Sequence, residues 1–250
     1  MDAFLAGRSP LDIDHYQSPQ LDSIAPVENI LFRKAVLLGG LDAVFEDVIV
    51  PNTERARDSL KSGQTLGGGD AQWHSNYLHS QNKVFESDVV IASGWYEKGL
   101  YTTKEKCNKY NIKSLADLHR LTAVTSNTWA IDWRTLSDLG LANLFSAPTR
   151  PLQFKMIEGG RADFTLQDFS ALKDLSIEEG GVRLFPIRNV KIALRGTRHF
   201  FINRNQPESR AVFDAMQRGL RIMQKQGEIK RALVEAGVMN MSVKNWTLLN

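Results

Sequence analysis

The sequence predicts an α/β protein built as two lobes, and three observations carry that expectation. Along most of the chain, segments with apolar residues at helical spacing alternate with short segments at strand spacing. The 250 residues exceed the usual span of one compact core and suit two smaller ones. The stretch 156–168, MIEGGRADFTLQD, shows the alternation at its clearest and is the part around which the rest can be arranged.

In that stretch Met156 and Ile157 stand three or four residues from Leu152 and Phe154, which is helical spacing. Gly159-Gly160 supplies the left-handed backbone that ends helices. Ala162, Phe164 and Leu166 then alternate with Asp163, Thr165 and Gln167, as in a strand. Asp168 falls where the strand runs out, and residues 169–175 look helical. Ligands bind at the carboxyl ends of strands in open α/β sheets, so Asp168 is a binding candidate. It is equally an N-cap for the following helix, and one aspartate can do both.

Composition excludes several classes. A formal net charge of +3, with scattered basic residues, gives no footprint for nucleic acid. The single cysteine, Cys107, rules out an intrachain disulfide and a cysteine metal cluster. No apolar run approaches a membrane span. The opening residues MDAFLAGRSP lack the basic head and long apolar middle of a signal peptide, although AFLAG fits the end of one.

Taken in order, residues 11–16 alternate Leu11, Ile13 and His15 with Asp12, Asp14 and Tyr16, which predicts a first strand. Residues 21–38 carry Ile24, Val27, Leu31, Ala35 and Leu38 on one side. This predicts a helix with Pro26 in its first turn and Gly39-Gly40 at its end. Residues 44–50 are rich in β-branched side chains and predict a second strand. Asn52 or Thr53 caps a short helix that stops at Gly63. The loop 64–69 holds three consecutive glycines, but a strand-like run follows them rather than a lysine and a helix start, so the phosphate-cradle reading fails.

Residues 89–92 and 100–103 read as strands, and the polar run 104–112 as a crossing between lobes. Ser114 opens a short helix, residues 121–124 form a strand, and residues 125–128 are its polar exit. Trp129, Trp133 and Leu136 then follow at helical spacing. A strand exit that runs straight into a helix N-terminus is a natural anion or polar-ligand site. Asn127 and Thr128 serve either that site or the helix cap. Residues 182–186, 191–194 and 199–203 are further strands. Residues 206–237 are helical with a break near Gly227, and 243–250 form a last strand or an extended tail.

Three pieces in this order resemble the bacterial extracellular solute-binding proteins of the amino-acid-binding (family 3) type. SLADLHRLTAVTSNTW is similar to the opening of that family's second lobe. MIEGGRADF is similar to its central Gly-Arg-x-Asp motif. FFINRNQPESRAVFDAMQRGLRIMQKQGEIKRAL is similar to its strand-and-helix return. The first lobe matches only through ENILFRKAVLL and residues 57–63. The resemblance implies an α/β, two-lobed type II periplasmic binding protein-like fold with lobe two inserted in lobe one. Lobe one would be residues 1–109 and 196–250, and lobe two residues 110–195. It further implies a solute held in the inter-lobe cleft, hinge closure, a periplasmic monomer and a membrane permease as partner. No cofactor, metal or catalytic residue follows from it.

Such proteins grip an α-amino acid with an arginine on the carboxylate and an aspartate on the ammonium. Asp168 matches the aspartate. Asn82 falls nearest the arginine's place and cannot form a bidentate charged pair, so Lys83 or Arg195 would have to substitute. An amino-acid-like or amine-bearing ligand is expected. The ligand-binding candidates are Tyr16, Trp73, Asn82, Trp95, Asn127, Thr128, Trp129 and Asp168. Each tryptophan is either core or a face for a cation.

The alternatives are a sensor input module of the same fold and an enzyme reusing it. Against an enzyme, no G-x-S-x-G setting is present. The five histidines, His15, His74, His79, His119 and His199, show no metal-ligand spacing along the chain.

Overall fold

The computed structural model describes residues 2–21 and 23–250. Met1, counted in the expected lobe one, and Asp22, inside the expected helix 21–38, lie outside the described residues. The chain divides into two compact units, Met1–Ala92 with Thr197–Val238 and Ser93–Gly196 with Met239–Asn250. The helices are α1 (Asp2–Leu5), α2 (Ile24–Leu38), α3 (Thr53–Ser62), α4 (Lys104–Lys109), α5 (Ala130–Ser137), α6 (Arg150–Glu158), α7 (Ser209–Lys225) and α8 (Glu228–Glu235). The strands are β1 (Gln72–Trp73), β2 (Val84–Glu86), β3 (Glu97–Thr102), β4 (Thr122–Thr125), β5 (Asn143–Ser146), β6 (Thr165–Gln167), β7 (Ile177–Glu179), β8 (Val182–Pro186), β9 (Val190–Ala193), β10 (Arg198–His199), β11 (Phe201–Asn203) and β12 (Thr247–Leu248).

Unit 1 is built on α2 and α7. Their backbones nearly touch, because a Cβ built at Gly219 would stand 1.9 Å from the Ala35 carbonyl oxygen and one at Gly39 only 1.8 Å from that of Ala215. Only glycine permits that approach. Two antiparallel ladders, β1 with β10 and β2 with β11, lie in the same unit. Two charge networks are closed inside it. Lys34 donates to the Ile13 carbonyl and to Glu228 at 2.6 Å each, and the Tyr16 hydroxyl donates to the same Glu228 oxygen at 2.8 Å. Arg198 grips Glu28 with two hydrogen bonds of 2.8 and 2.7 Å.

Unit 2 centres on β3, which pairs antiparallel with β6, β8 and β9. β7 extends the sheet beyond β8, and β12 runs parallel to β9. β4 and β5 pair in parallel, and a parallel bridge from Ala123 to Phe164 ties β4 to the chain entering β6. Tyr101, Val124, Phe154, Ile157 and Leu184 form the core, with Trp246 packed against it. Asp163 staples this region. It accepts hydrogen bonds from the Thr122 amide (2.9 Å), the Tyr110 hydroxyl (2.7 Å) and Lys106 (3.0 Å). Burial opposes the charged form, but these donors outweigh it and hold the Asp163 carboxyl below the ordinary aspartate value.

Several expectations change. Residues 11–16 form no strand. Ser9 and Asp12 close a capping box around a 3₁₀ turn, Pro10–Asp12, and six alternating residues carry too short a pattern to override it. Residues 44–50 are not a strand either, since among the described residues no strand forms a ladder with them. Instead Asp47 holds Arg33 of α2 at 2.6 Å and Phe45 lies under the same guanidinium, while Val44 and Ile49 are 100% and 96% exposed. Within 89–92 only Ile91 bridges, to Arg198.

Residues 169–175 are not helical. Phe169 turns inward against Tyr101 and Trp246, Leu175 takes a left-handed φ of 59°, and Asp174 accepts from the Ser176 amide and hydroxyl. The run 104–112 is not a crossing, because its first half is α4, capped by Thr103 and lying in unit 2. Residues 93–109 and 239–250, expected in lobe one, also fall in unit 2. β3 is central to its sheet, and the Asn250 side chain exchanges two hydrogen bonds with the Ala193 backbone.

Candidate functional site

One edge of unit 2 gathers most of the polar groups that the sequence singled out. β5, β4 and the strand leading into β6 run in the same direction, so their carboxyl ends share that edge. β4 ends at Thr125 and gives way to the turn 126–129. There the Ser126 and Thr128 hydroxyls lie 2.8 Å apart, and the Asn127 amide donates to Ser146 at the end of β5 (3.2 Å). α5 follows. Its N-cap position is Trp129, which makes no side-chain cap, so Asn127 and Thr128 stand outside the capping role, with both side chains exposed and Trp129 half-buried.

Asp168 follows β6 directly. With no helix after it, the N-cap reading is gone, and its side chain is 57% exposed. Lys98 on β3 connects it to α5. The ammonium lies 2.7 Å from Asp132, in the first turn of α5, and 3.8 Å from Asp168. Asp132 is only 8% exposed, so it holds the lysine from inside while Asp168 meets it from solvent. Burial works against the charge on Lys98, but Asp132 and Asp168 more than offset it, so its pKa is raised.

Two buried polar atoms close to this edge in the chain have no hydrogen-bond partner, the Thr125 hydroxyl at the end of β4 and Nε of Arg150 at the start of α6. Buried polar groups are almost always satisfied, so these two atoms have room for a ligand or solvent partner, as does a third, Asn29 Oδ1, in unit 1.

The other candidates fall elsewhere. Tyr16 is fully buried in unit 1 with its hydroxyl on Glu228. Burial, then Glu228, pushes that hydroxyl's pKa well above the ordinary value, so it presents nothing to a ligand. The first-strand reading had placed it at an exit that does not exist. Trp73 lies in unit 1 with the Arg198 guanidinium 4.9 Å above its ring, a cation–π partner from its own chain. Asn82 is exposed in the turn before β2. Trp95 sits in the turn before β3, 37% exposed. Arg195, a possible substitute for the absent arginine, donates to the Asn250 carbonyl instead.

Lys98, Asp132 and Arg150 were not anticipated, and Thr125 only as part of the polar exit 125–128. Asp132 had a signal, an acid in the first turn of the helix that Trp129 precedes. A cavity of about 450 Å³ lies in unit 1 against Phe32, Phe45 and the glycines 67–69, and none of the expected site residues lines it.

No protein-family model matches this sequence, and no curated protein matches it. Solved structures do match its fold. A probable amino-acid ABC transporter extracellular-binding protein from Bacillus subtilis superposes with a TM-score of 0.56 at 14% identity, over 83% of this chain and 85% of that one. The GluR0 ligand-binding core from Nostoc punctiforme, in complex with L-glutamate, gives 0.53 at 14% identity over 88% and 93%. An amino acid ABC transporter substrate-binding protein from Streptococcus pneumoniae, bound to L-arginine, gives 0.53 at 12% identity over 85% and 84%. The chain therefore has the two-lobed, α/β type II periplasmic binding protein fold, resembling the family 3 amino-acid-binding domains.

Proposed function

We propose that this protein binds a small, amine-bearing polar solute without transforming it, as the substrate-binding component of a transport system outside the cytoplasmic membrane. The carrying observation is the shared carboxyl edge of β4, β5 and β6, where an exposed carboxylate, a polar turn at a helix start and two orphan polar atoms come from one unit. Strand carboxyl ends are where α/β sheets take ligands. In this reading Asp168 receives the amine, with Trp129 alongside. The acceptor end of the solute meets Asn127, Thr128 and the N–H groups that open α5, where the helix favours negative charge. Arg150, whose Nε lacks a partner while a terminal nitrogen lies 3.7 Å from Glu179, supplies the cation that Asn82 cannot. The amino-acid-like character of the ligand is supported by the fold's solved relatives, one in complex with L-glutamate and one bound to L-arginine.

Protein purified without denaturation and sprayed under native conditions should carry a bound small molecule whose mass names its class. Incubation with a metabolite pool should show depletion by binding, at one equivalent per chain. Steady consumption of any compound would defeat the binding reading in favour of an enzyme.

A further inference from the structure

Unit 1 holds a second cluster that the solute site does not use. The antiparallel ladder of β1 with β10 pairs Gln72 with His199 and Trp73 with Arg198, which brings His74 beside His199 although they are far apart in the chain. β2 pairs with β11 next to them and delivers Glu86. Nδ1 of His74 lies 2.6 Å from Oε1 of Glu86, and Nδ1 of His199 lies 3.4 Å from that same oxygen. One donor atom from each of the three residues falls within 4.8 Å of the others.

We propose that His74, Glu86 and His199 bind one divalent transition-metal ion of the zinc class. Two imidazoles and a carboxylate make a nitrogen-rich set that suits Zn²⁺, Co²⁺ or Ni²⁺, whereas Mg²⁺ and Ca²⁺ want oxygen alone. Donors about 2.0–2.2 Å from a tetrahedral ion stand roughly 3.3–3.6 Å apart. The His199–Glu86 pair already meets that separation, and the His74–Glu86 pair must open by about 1 Å. His74 and Glu86 are 43% and 26% exposed, so they have room to turn and leave an entry path.

His199 is the fixed member. Its side chain is 10% exposed, with Nδ1 on the Ser87 carbonyl and Nε2 on the Thr197 hydroxyl at 2.8 Å each. A hydroxyl can donate or accept. Without metal, Nδ1–H donates to the Ser87 carbonyl and Nε2 accepts from Thr197; an ion at Nδ1 displaces that proton and that bond, and Nε2–H then donates to Thr197. That is the outer-shell contact that orients metal-bound histidines. Arg198, next to His199 in the chain, is paired with Glu28, and Arg221 with Asp88. With three protein donors, the ion keeps at least one position for water.

The test uses the full chain stripped with a chelator and titrated with Zn²⁺ by calorimetry, with Mg²⁺ as control. One Zn²⁺ should bind per chain and Mg²⁺ should not compete. His74→Ala and Glu86→Gln should each weaken Zn²⁺ by at least tenfold with the far-UV circular dichroism unchanged. Thr197→Val should cost about ten- to a hundredfold. Co²⁺ should give the wild-type chain a visible absorption band of a low-coordinate nitrogen–oxygen site, a readout independent of any variant's folding. Absence of a one-to-one Zn²⁺ isotherm would overturn the proposal. So would wild-type affinity in both His74→Ala and Glu86→Gln, which would assign the ion to scattered surface histidines.

Discussion

Two charge networks of unit 1 and the Lys98 network of unit 2 handle buried charge in different ways. In unit 1, buried Lys34, Tyr16 and Glu228 satisfy one another, with half-exposed Arg231 a looser 3.7 Å from Glu228, and Glu28 and Arg198 pair out of reach of water. In unit 2, Lys98 is held from inside by Asp132 but leaves Asp168 more than half exposed, at the end of a strand. A network whose members are all buried and all paired has nothing left to offer a ligand, and its worth lies in the fold. A network with one charged member in solvent is partly satisfied by design and can exchange a partner. Chemistry that looks similar in the sequence thus divides into closed structure and candidate site according to where the last charge ends up.

The largest effect should come from opening a closed network. Glu228→Gln leaves the Lys34 ammonium buried without its counter-charge, and breaking such a pair costs about 3–5 kcal/mol. Urea unfolding followed by circular dichroism should show the loss. A change under about 1 kcal/mol would mean that the network is not closed.

Asp163→Asn should cost less, about 1–3 kcal/mol, because an amide cannot accept from all three donors that converge on the carboxylate. The effect has a pH signature. The folded-state pKa of Asp163 lies below its unfolded value, so its contribution is fully present above the unfolded aspartate pKa of about 3.9 and disappears as pH falls through the folded value. The stability gap between wild type and Asp163→Asn should therefore be constant at neutral pH and close below about pH 4.

Asp168→Asn should change stability least, by no more than about 0.5 kcal/mol, since the side chain is mostly solvated and caps no helix. A loss comparable to that of Asp163→Asn would move Asp168 into the structural class.

Much of the fold was legible where several local signals agreed. Around α3, Asn52 accepts from the Arg55 amide and Gly63 takes a φ of 81°. Between α7 and α8, Gly227 takes a φ of 68° at the expected break. Residues 44–50 misled because β-branched side chains describe a strand only where a neighbour completes the ladder. Residues 169–175 misled because Phe169 found aromatic partners in Tyr101 and Trp246, which local spacing cannot reveal.

For the candidate site, strand exits pointed to Asp168, Asn127 and Thr128, which the structure brings to one edge of unit 2. The lysine behind Asp168 stayed hidden, since its partnership with Asp132 joins a strand to a helix 34 residues on. His74 and His199 likewise become neighbours only through the β1–β10 ladder, so spacing along the chain gave no hint of them.

The central claim is that the exposed carboxylate of unit 2 meets the solute's amine. It is tested most directly by calorimetric titration of the co-purifying solute, once its mass has identified it, into ligand-free wild type and Asp168→Asn. A charge-assisted contact is worth roughly 1.5–3 kcal/mol, so the variant should bind about ten- to a hundredfold more weakly while remaining folded. Equal affinity in the two proteins would contradict the claim and leave Asp168 as no more than an outer partner of Lys98.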